Sequence, residues 1–294
     1  MFVATIVASD SLGQGNIDEA ADRVEAAGAR LTDRRVLEPG RAADIFFTGE
    51  SKAVRAALQM MDGGIDVIVQ LAASREKKLL VADMDSTMIQ IECIDELADY
   101  AGIKPQIAEV TERAMRGELD FAEALRARVA LLAELDEAMI DRCRAERVRM
   151  TPGARALIRT MGARGAHTVL VSGGFTRFAE PVGVELGFHK VVANVLDIGG
   201  GRLIGTVADP VVDSLRKKQE LLEALAERGI PLELSVAIGD GANDIPMIEA
   251  AGLGVAYHAK EKARAAADAE ICHGDLSVLL YAQGIRRGEW ADDQ

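Results

Sequence analysis

The chain has 294 residues, which is long for one domain and sufficient for two. Its formal net charge of -13, from 34 basic and 47 acidic residues, argues against nucleic acid or an anionic membrane as the main partner. The three cysteines are scattered, so we expect free thiols. The sequence has no signal-like start and no apolar run near the ~20 residues of a membrane span, so we expect a cytoplasmic protein.

Residues 1 to about 74 alternate short apolar strands with helices. The pattern predicts strands over residues 2–8, 30–37, 44–48 and 65–70, and helices over residues 17–27 and 51–61, the second capped by Ser51. This βαββαβ order is that of the ferredoxin-like fold. The charged segment 74–78 is typical of a linker, so we expect one domain over residues 1–74 and a second over residues 75–294.

Two carboxylates directly follow the next predicted strand. Residues 79–82 form an apolar run typical of a buried parallel strand, and Asp83, Asp85 and two hydroxyl residues come next. Parallel sheets place their chemistry beyond the carboxyl ends of their strands. Two carboxylates there are unfavourable unless a cation or a proton offsets them, so we expect bound Mg²⁺. One aspartate is then a candidate nucleophile and the other a candidate acid or base.

Residues from about 90 to 150 interrupt the α/β pattern with helices alone. Their apolar residues recur at helical spacing, as at Val129, Leu132 and Leu135. An all-helical insertion after the first strand of the second domain predicts a small cap over the site. Such a cap would exclude water and hold the substrate in place for reaction. We interpret most of the apolar stripe as packing between the cap helices.

A second strand end carries groups that suit an anion. The run 167–171 ends in Ser172, Gly173 and Gly174, a hydroxyl followed by flexible backbone that can hold an oxyanion with N–H groups. Residues 191–207, with three consecutive glycines in the middle, predict a β-hairpin.

The last strand end is again acidic. The run 234–238 is followed by Asp240, Asn243 and Asp244, which offer hard oxygen ligands among glycines. Before this strand, the pattern over residues 219–228 predicts a helix, and Lys217 and Lys218 lie at its start. A lysine at a helix start is unfavourable for the helix dipole, which indicates that it serves another group, such as a phosphate.

These pieces, in this order, resemble the haloacid dehalogenase-like phosphatases, whose pattern is Asp-x-Asp-x-Thr, then Ser or Thr, then Lys, then an acidic pair after a strand. Each piece alone also fits an ordinary turn rich in Asp, Ser and Gly, but all four together at strand ends and a helix start favour a site. From about Lys77 to about Leu280 the chain is similar to the phosphoserine phosphatase family, with matching residues that include Glu92, Met115, Phe121 and Arg128. The resemblance implies an α/β fold with a doubly wound parallel sheet and the helical cap.

The resemblance also implies the reaction and its catalytic residues. Asp83 would attack phosphorus and form an aspartyl phosphate, and Asp85 would act as general acid and then general base. Mg²⁺ would bind the Asp83 carboxylate, the Asp85 carbonyl and Asp240, with Asp244 supporting these ligands. The implied reaction is hydrolysis of O-phospho-L-serine to L-serine and phosphate, the last step of serine biosynthesis.

Substrate-binding residues follow from the same resemblance. The phosphate would be held by Ser172, Gly173, Gly174 and Lys217, with Lys217 favoured over Lys218 by counting back along the chain. The rest of the substrate would meet Glu92 at its ammonium, Arg128 at its carboxylate, Asn243, and Met115 and Phe121 from the cap. On the residues alone, Glu92 could be a solvated helix residue, and Arg128 one more charge on the face of Arg126.

Residues 1–74 resemble the ACT-type domain that precedes the catalytic domain in some bacterial phosphoserine phosphatases. Such domains bind amino acids or pair into dimers, and with no recognisable binding motif here, a homodimer and amino-acid sensing both stay open. Two other functions stay open for the whole chain: a phosphotransferase that passes the phosphoryl group to an alcohol such as homoserine, and an amino-acid-sensing regulatory protein. In each case we expect a small-molecule ligand.

Overall fold

The N-terminal strands and helices form an antiparallel sheet with two helices. The computed structural model describes residues 1–61, 63–116 and 118–291, and of Met115 only the backbone. The first elements are β1 (Phe2–Leu12), α1 (Gln14–Ala26), β2 (Arg30–Glu38), β3 (Gly40–Thr48), α2 (Ser51–Leu58) and β4 (Ile65–Leu71). The sheet order is β2-β3-β1-β4, and every pair is antiparallel. The predicted ferredoxin-like arrangement is confirmed.

The start of α2 differs from the prediction. Its N-cap is Glu50, whose backbone is extended (φ -81°, ψ 108°), and no side chain caps the helix. The expected Ser51 cap is wrong because Ser51 already lies in the helix, whereas a capping residue needs the extended backbone that precedes it.

The two faces of this sheet have different neighbours, since successive side chains of a strand point to opposite sides. Ala4 and Ile6 belong to one buried cluster with Val24 of α1 and Val54 of α2. On the other face Asp44, 1% exposed, accepts hydrogen bonds from Thr5 at 2.7 Å and from Arg75 at 2.7 Å. Arg75 also donates to the carbonyl of Ala282 at 3.1 Å, so the later part of the chain covers this face.

A six-stranded parallel sheet forms the centre of the remaining chain. The elements are β5 (Leu79–Ala82), α3 (Cys93–Ala101), α4 (Lys104–Met115), α5 (Phe121–Ala130), α6 (Ala138–Arg147), α7 (Ala154–Ala163), β6 (His167–Phe175), α8 (Thr176–Leu186), β7 (Lys190–Asn194), β8 (Leu196–Gly199), β9 (Arg202–Val207), α9 (Ser214–Arg228), β10 (Ser235–Gly239), α10 (Ile245–Ala250), β11 (Gly254–Tyr257), α11 (Glu261–Ala266), β12 (Ala269–Ile271) and α12 (Val278–Ala282). The strand order is β12-β11-β10-β5-β6-β7, with parallel pairing throughout. Leu80 and Leu79 of β5 lie in two different buried clusters, so both faces of the sheet are covered, as a doubly wound sheet requires.

The predicted hairpin over residues 191–207 is shorter than expected. β7 pairs in parallel with β6, with Val169 opposite Lys190, and only β8 and β9 form the antiparallel hairpin. Its turn contains Gly200 and Gly201 with φ of 60° and 80°. A short apolar run such as residues 191–193 fits a hairpin arm and a parallel strand equally well, so periodicity could not separate them.

The predicted helical cap is present as α3 to α6, inserted between β5 and β6. The two chain segments that join it to the sheet lie side by side: Gln90 N–H donates to the carbonyl of Arg149 at 3.0 Å, and Thr151 N–H to that of Met88 at 3.0 Å. Within residues 1–61, 63–116 and 118–291, no helix has the length and apolar character needed to cross a membrane.

Candidate active site

Asp83 is the first residue after the fully buried strand β5. Its N–H donates to the carbonyl of Ile238 at 3.0 Å, which extends the ladder with β10, and its carboxylate accepts the N–H of Met84 at 2.8 Å. The chain then turns at Ser86, whose φ of 54° lies in the left-handed region that disfavours a side chain by about 1–2 kcal/mol. The turn is closed by a hydrogen bond from Ser86 N–H to the carbonyl of Ile91 at 3.1 Å. Asp83 and Asp85 therefore stay at the sheet edge while the chain leaves for the cap.

Lys217 lies directly against Asp83. Its Nζ is 2.6 Å from Oδ1 of Asp83 and 2.7 Å from Oδ1 of Asp244, and the side chain is fully buried. Burial favours the neutral amine, but the two carboxylates outweigh it and raise the pKa of Lys217 above its usual range. Lys218, the other candidate from the sequence, is only half-buried and makes no ion pair among the described residues.

The start of α9 explains why Lys217 is the inward lysine. The N-cap is Asp213, whose carboxylate accepts the N–H of Arg216 at 2.8 Å. The carbonyl of Asp213 accepts the N–H of Lys217 at 3.1 Å as the first bond of the helix. Since α9 packs on the sheet through Leu221 and Leu225, four and eight residues beyond Lys217, Lys217 lies on the same buried face.

Three carboxylates form a cluster around this lysine. Oxygens of Asp83, Asp240 and Asp244 all lie within 4.8 Å of one another. Burial, then repulsion from Asp244, raises the pKa of Asp83 above its usual range and that of Asp240 to about 6. One ammonium cannot offset three carboxylates, whereas a divalent cation with a preference for oxygen ligands would. The donor set therefore fits a divalent metal.

Asp85 lies beside the irregular end of β6. Its Oδ1 accepts the N–H of Cys93 at 3.3 Å. A Cβ at Gly174 would lie 2.9 Å from Oδ2 of Asp85 and 3.1 Å from Oγ of Ser172, so glycine lets these two side chains approach each other without crowding. Burial, then the charge of Glu92, raises the pKa of Asp85 to about 7, which suits a group that gives and takes a proton near neutral pH.

Residues 172–174, which the sequence predicts to follow the strand, belong to the irregular end of β6 and meet the cap at Phe121. Ser172 is buried, and its Oγ accepts the N–H of Gly174 at 2.9 Å. A Cβ at Gly173 would lie 3.0 Å from Cζ of Phe121, so the aromatic ring packs on the Gly173 backbone. Phe121 is the first residue of α5, after the N-cap Asp120. The side chain of Met115 lies outside the described part of the structure.

Glu92 and Arg128 lie on the cap side. Glu92 is exposed at the N-cap of α3, and its Oε1 accepts the hydroxyl of Ser86 at 2.7 Å. Arg128 is half-buried and donates only to the carbonyl of Ala124, at 3.3 Å, with no carboxylate partner among the residues described. Burial lowers the pKa of Arg128, while Asp95 and Glu92 oppose that shift. Arg126, on the same helix, instead pairs with Asp209 at 2.5 Å.

The remaining predicted residue, Asn243, is half-buried in the loop after β10, close to Gly241. One residue beside the site was missed by the sequence analysis. Asn194 ends β7, is 1% exposed, and donates from Nδ2 to the carbonyl of Gly173 at 2.8 Å. The signal was an amide at the end of an apolar run, inside the segment interpreted as a hairpin arm.

Comparisons with known proteins agree with this geometry. The family model of haloacid dehalogenase-like hydrolases matches residues 80–249. The chain is 43% identical to a phosphoserine phosphatase of Streptomyces coelicolor, over 92% of this chain and 69% of that protein. It is 48% identical to phosphoserine phosphatase SerB2 of Mycobacterium tuberculosis, over 74% of this chain but only 53% of that protein. A solved structure of a probable phosphoserine phosphatase from Vibrio cholerae, in unliganded form, superposes with a TM-score of 0.78 and 34% identity, over 96% of this chain and 88% of that one.

Proposed function

The chain belongs to the phosphoserine phosphatase family of the haloacid dehalogenase-like hydrolases, and we propose that it hydrolyses O-phospho-L-serine to L-serine and phosphate with Mg²⁺, as the last step of serine biosynthesis. The observation that carries this proposal is the contact between a buried lysine and a strand-end aspartate, 2.6 Å from Nζ of Lys217 to Oδ1 of Asp83, inside a cluster of carboxylates. Phosphoryl transfer needs a positioned nucleophile and neutralised charge more than any other help.

In the first step Asp83 attacks phosphorus. A bond forms between a carboxylate oxygen of Asp83 and phosphorus as the bond from phosphorus to the seryl oxygen breaks. Asp85 gives its proton to the departing seryl oxygen, which leaves as the serine hydroxyl. Asp85 can hold that proton because burial raises its pKa to about 7.

In the second step water releases the phosphate. Asp85, now ionised, takes a proton from water, whose oxygen attacks phosphorus as the bond to Asp83 breaks. Phosphate leaves, and both aspartates return to their starting state. The hydroxyl of Ser172, the N–H groups of Gly173 and Gly174, and the ammonium of Lys217 hold the phosphate oxygens through both steps.

The carboxylates would hold the cation. Asp83, the Asp85 carbonyl and Asp240 would bind Mg²⁺, and Asp244, which contacts Lys217, would support them. When bound, the cation supplies positive charge that offsets the carboxylates and the phosphate.

Substrate choice comes from the cap side. Phosphoserine carries an ammonium and a carboxylate besides its phosphate, and Glu92 and Arg128 complement these charges. Arg128 has no carboxylate partner within the described chain, so its fork is available to the substrate. Phe121 and Met115 would close the pocket, and Asn243 would contact the bound substrate.

The domain organisation is part of the proposal. We assign residues 1–74 to an ACT-like domain and residues 75–294 to the phosphatase domain, with the cap at about 90–150. A homodimer through the N-terminal domain is supported by β2, an outer strand of its sheet whose residues are mostly exposed. We propose a cytoplasmic enzyme without nucleic-acid or membrane partners, in keeping with its negative charge and scattered cysteines.

The direct test is phosphate release from a panel of phosphomonoesters with Mg²⁺, L-phosphoserine included. We expect L-phosphoserine to have the highest kcat/KM of the panel. Equal turnover of esters that lack the amino-acid part would contradict the assigned substrate. Phosphate release with and without an added alcohol such as homoserine distinguishes hydrolysis from phosphotransfer.

Removal of the metal is expected to stop turnover. Chelation should abolish phosphate release and Mg²⁺ should restore it, whereas Ca²⁺ should restore little. The higher coordination number and longer bonds of Ca²⁺ would misplace Asp83 relative to phosphorus. Phosphate release is measured after chelation and titration with each cation. Full activity in Ca²⁺ free of Mg²⁺ would contradict this site.

Substitutions at Arg128 and Glu92 should change substrate preference more than chemistry. Arg128→Lys keeps the charge but loses the fork, so kcat/KM for phosphoserine should fall by roughly 10- to 100-fold, and far less for a phosphate ester that lacks a carboxylate. Glu92→Gln should act in the same way on esters that carry the ammonium, with a smaller loss shared by all esters because the charge of Glu92 also raises the pKa of Asp85. Arg126→Lys, on the same helix but paired with Asp209, is the matched control and should change neither value. Equal losses on all esters would mean that Arg128 and Glu92 support the cap instead.

A further inference from the structure

Asn194 is a buried amide that the mechanism above does not use. Its Nδ2 donates to the carbonyl of Gly173 at 2.8 Å, and its Oδ1 accepts the N–H of Val212 at 2.8 Å. The partners fix the orientation of the amide, because a carbonyl needs a donor and an N–H needs an acceptor. Asn194 thus joins two segments that lie 21 and 18 residues away along the chain.

The first segment carries the hydroxyl that we assign to the phosphate. The carbonyl of Gly173 and the N–H of Gly174 belong to one planar peptide group. Nδ2 of Asn194 donates a hydrogen bond to the oxygen of this peptide group. The N–H of the same group, that of Gly174, donates to Oγ of Ser172 at 2.9 Å. With one lone pair of Oγ occupied in this way, the hydroxyl proton of Ser172 is left to point at another acceptor, such as a phosphate oxygen.

The second segment carries the ammonium that we assign to the phosphate. Val212 directly precedes Asp213, the N-cap of α9, and the carbonyl of Asp213 accepts the N–H of Lys217 at 3.1 Å. Nζ of Lys217 is in turn 2.6 Å from Asp83. A hydrogen bond that fixes Val212 therefore fixes the start of the helix on which Lys217 lies.

We propose that Asn194 is a positioning residue that holds the Ser172 hydroxyl and the Lys217 ammonium at a fixed separation around the phosphate. The inference rests on the proposed function, because it concerns the same phosphate site. It requires a side chain that donates and accepts at once and has the length of asparagine. An ionised aspartate has the right size but cannot donate to the carbonyl of Gly173.

Asn194→Asp tests this requirement through pH. At about pH 8 the introduced carboxylate faces a carbonyl oxygen, and we expect kcat/KM for phosphoserine to fall by roughly 10- to 100-fold relative to the unmodified chain. As the pH falls toward about 5.5 the carboxyl group gains a proton and can donate again, so the ratio of variant to unmodified chain should recover several-fold. The ratio at each pH removes the pH dependence of the other groups.

Gln283→Glu is the matched control. Gln283 is also a buried amide between two backbone groups: Nε2 donates to the carbonyl of Leu279 at 3.0 Å, and Oε1 accepts the N–H of Lys77 at 3.0 Å. The substitution makes the same chemical change, but neither partner belongs to the site. The ratio of kcat/KM between Gln283→Glu and the unmodified chain should stay constant across the same pH range. The unfolding temperature of each variant is measured at the same time.

Equal ratios for Asn194→Asp and Gln283→Glu at every pH would overturn the positioning role. If Asn194→Asp does not fold, Asn194→Ser replaces it, and inhibition by inorganic phosphate is measured. We then expect the inhibition constant of phosphate to rise by about tenfold, and an unchanged constant would overturn the inference. An unmodified chain that releases no phosphate from phosphoserine would instead contradict the proposed function, which keeps the two failures apart.

Discussion

Replacement of Asp83 by asparagine is expected to lower phosphate release from L-phosphoserine by at least about 10⁴-fold, because an amide cannot serve as the nucleophile. The fold should persist, since asparagine keeps the size of the side chain and Lys217 keeps its contact with Asp244 at 2.7 Å. Phosphate release and acid-quench detection of labelled protein from radiolabelled substrate measure the two consequences. No labelled protein should form in this variant.

A surface substitution of the same kind is the control for this loss. Asp18→Asn removes a carboxylate of α1 that pairs with Arg34 at 2.7 Å in an exposed ion pair. Such pairs contribute little to stability, so this variant should turn over at the normal rate. Labelled protein in the Asp83→Asn variant would show that the nucleophile is a different residue.

Asp85→Asn is expected to separate the two chemical steps. The nucleophile remains, but the seryl oxygen leaves without a proton, so the first step should slow by roughly 10²–10⁴, the usual scale of general acid catalysis. An aryl phosphate such as p-nitrophenyl phosphate has a good leaving group and needs little protonation, so its first step should slow much less. Its second step would still lack the base that activates water.

The signature of this separation is a burst in rapid-mix absorbance. The Asp85→Asn variant should release p-nitrophenol to about one equivalent per enzyme and then turn over slowly, as expected when the covalent intermediate accumulates. Acid-quenched protein should carry the label during the slow phase. A burst from the Asp83→Asn variant, or no difference between the seryl and aryl esters in Asp85→Asn, would mean that the two roles are assigned to the wrong residues.

Much of the fold followed from local patterns. β5, β6 and β10 each contain an apolar run that polar residues follow. In a parallel sheet such ends meet at one edge, so the sequence predicts that Asp83, Ser172 and Asp240 lie close together. The N-terminal βαββαβ order was equally readable, because strand and helix periods differ clearly. Short apolar runs carry no such signal, and for that reason β7 was mistaken for part of a hairpin.

The finer geometry of the site depended on contacts between distant residues. Lys217 and Lys218 are chemically equal in the sequence, and only the rotation of α9, set by its packing on the sheet, turns Lys217 toward Asp83. Phe121 reaches Gly173 because the cap folds over the sheet edge. Asn194 joins Gly173 to Val212 because the end of β7 lies within hydrogen-bonding distance of both segments. The sequence by itself determined which chemical groups lie at the strand ends, because that depends on neighbours along the chain. The tertiary structure decided which of these groups are in contact, because that depends on packing between elements far apart in the sequence.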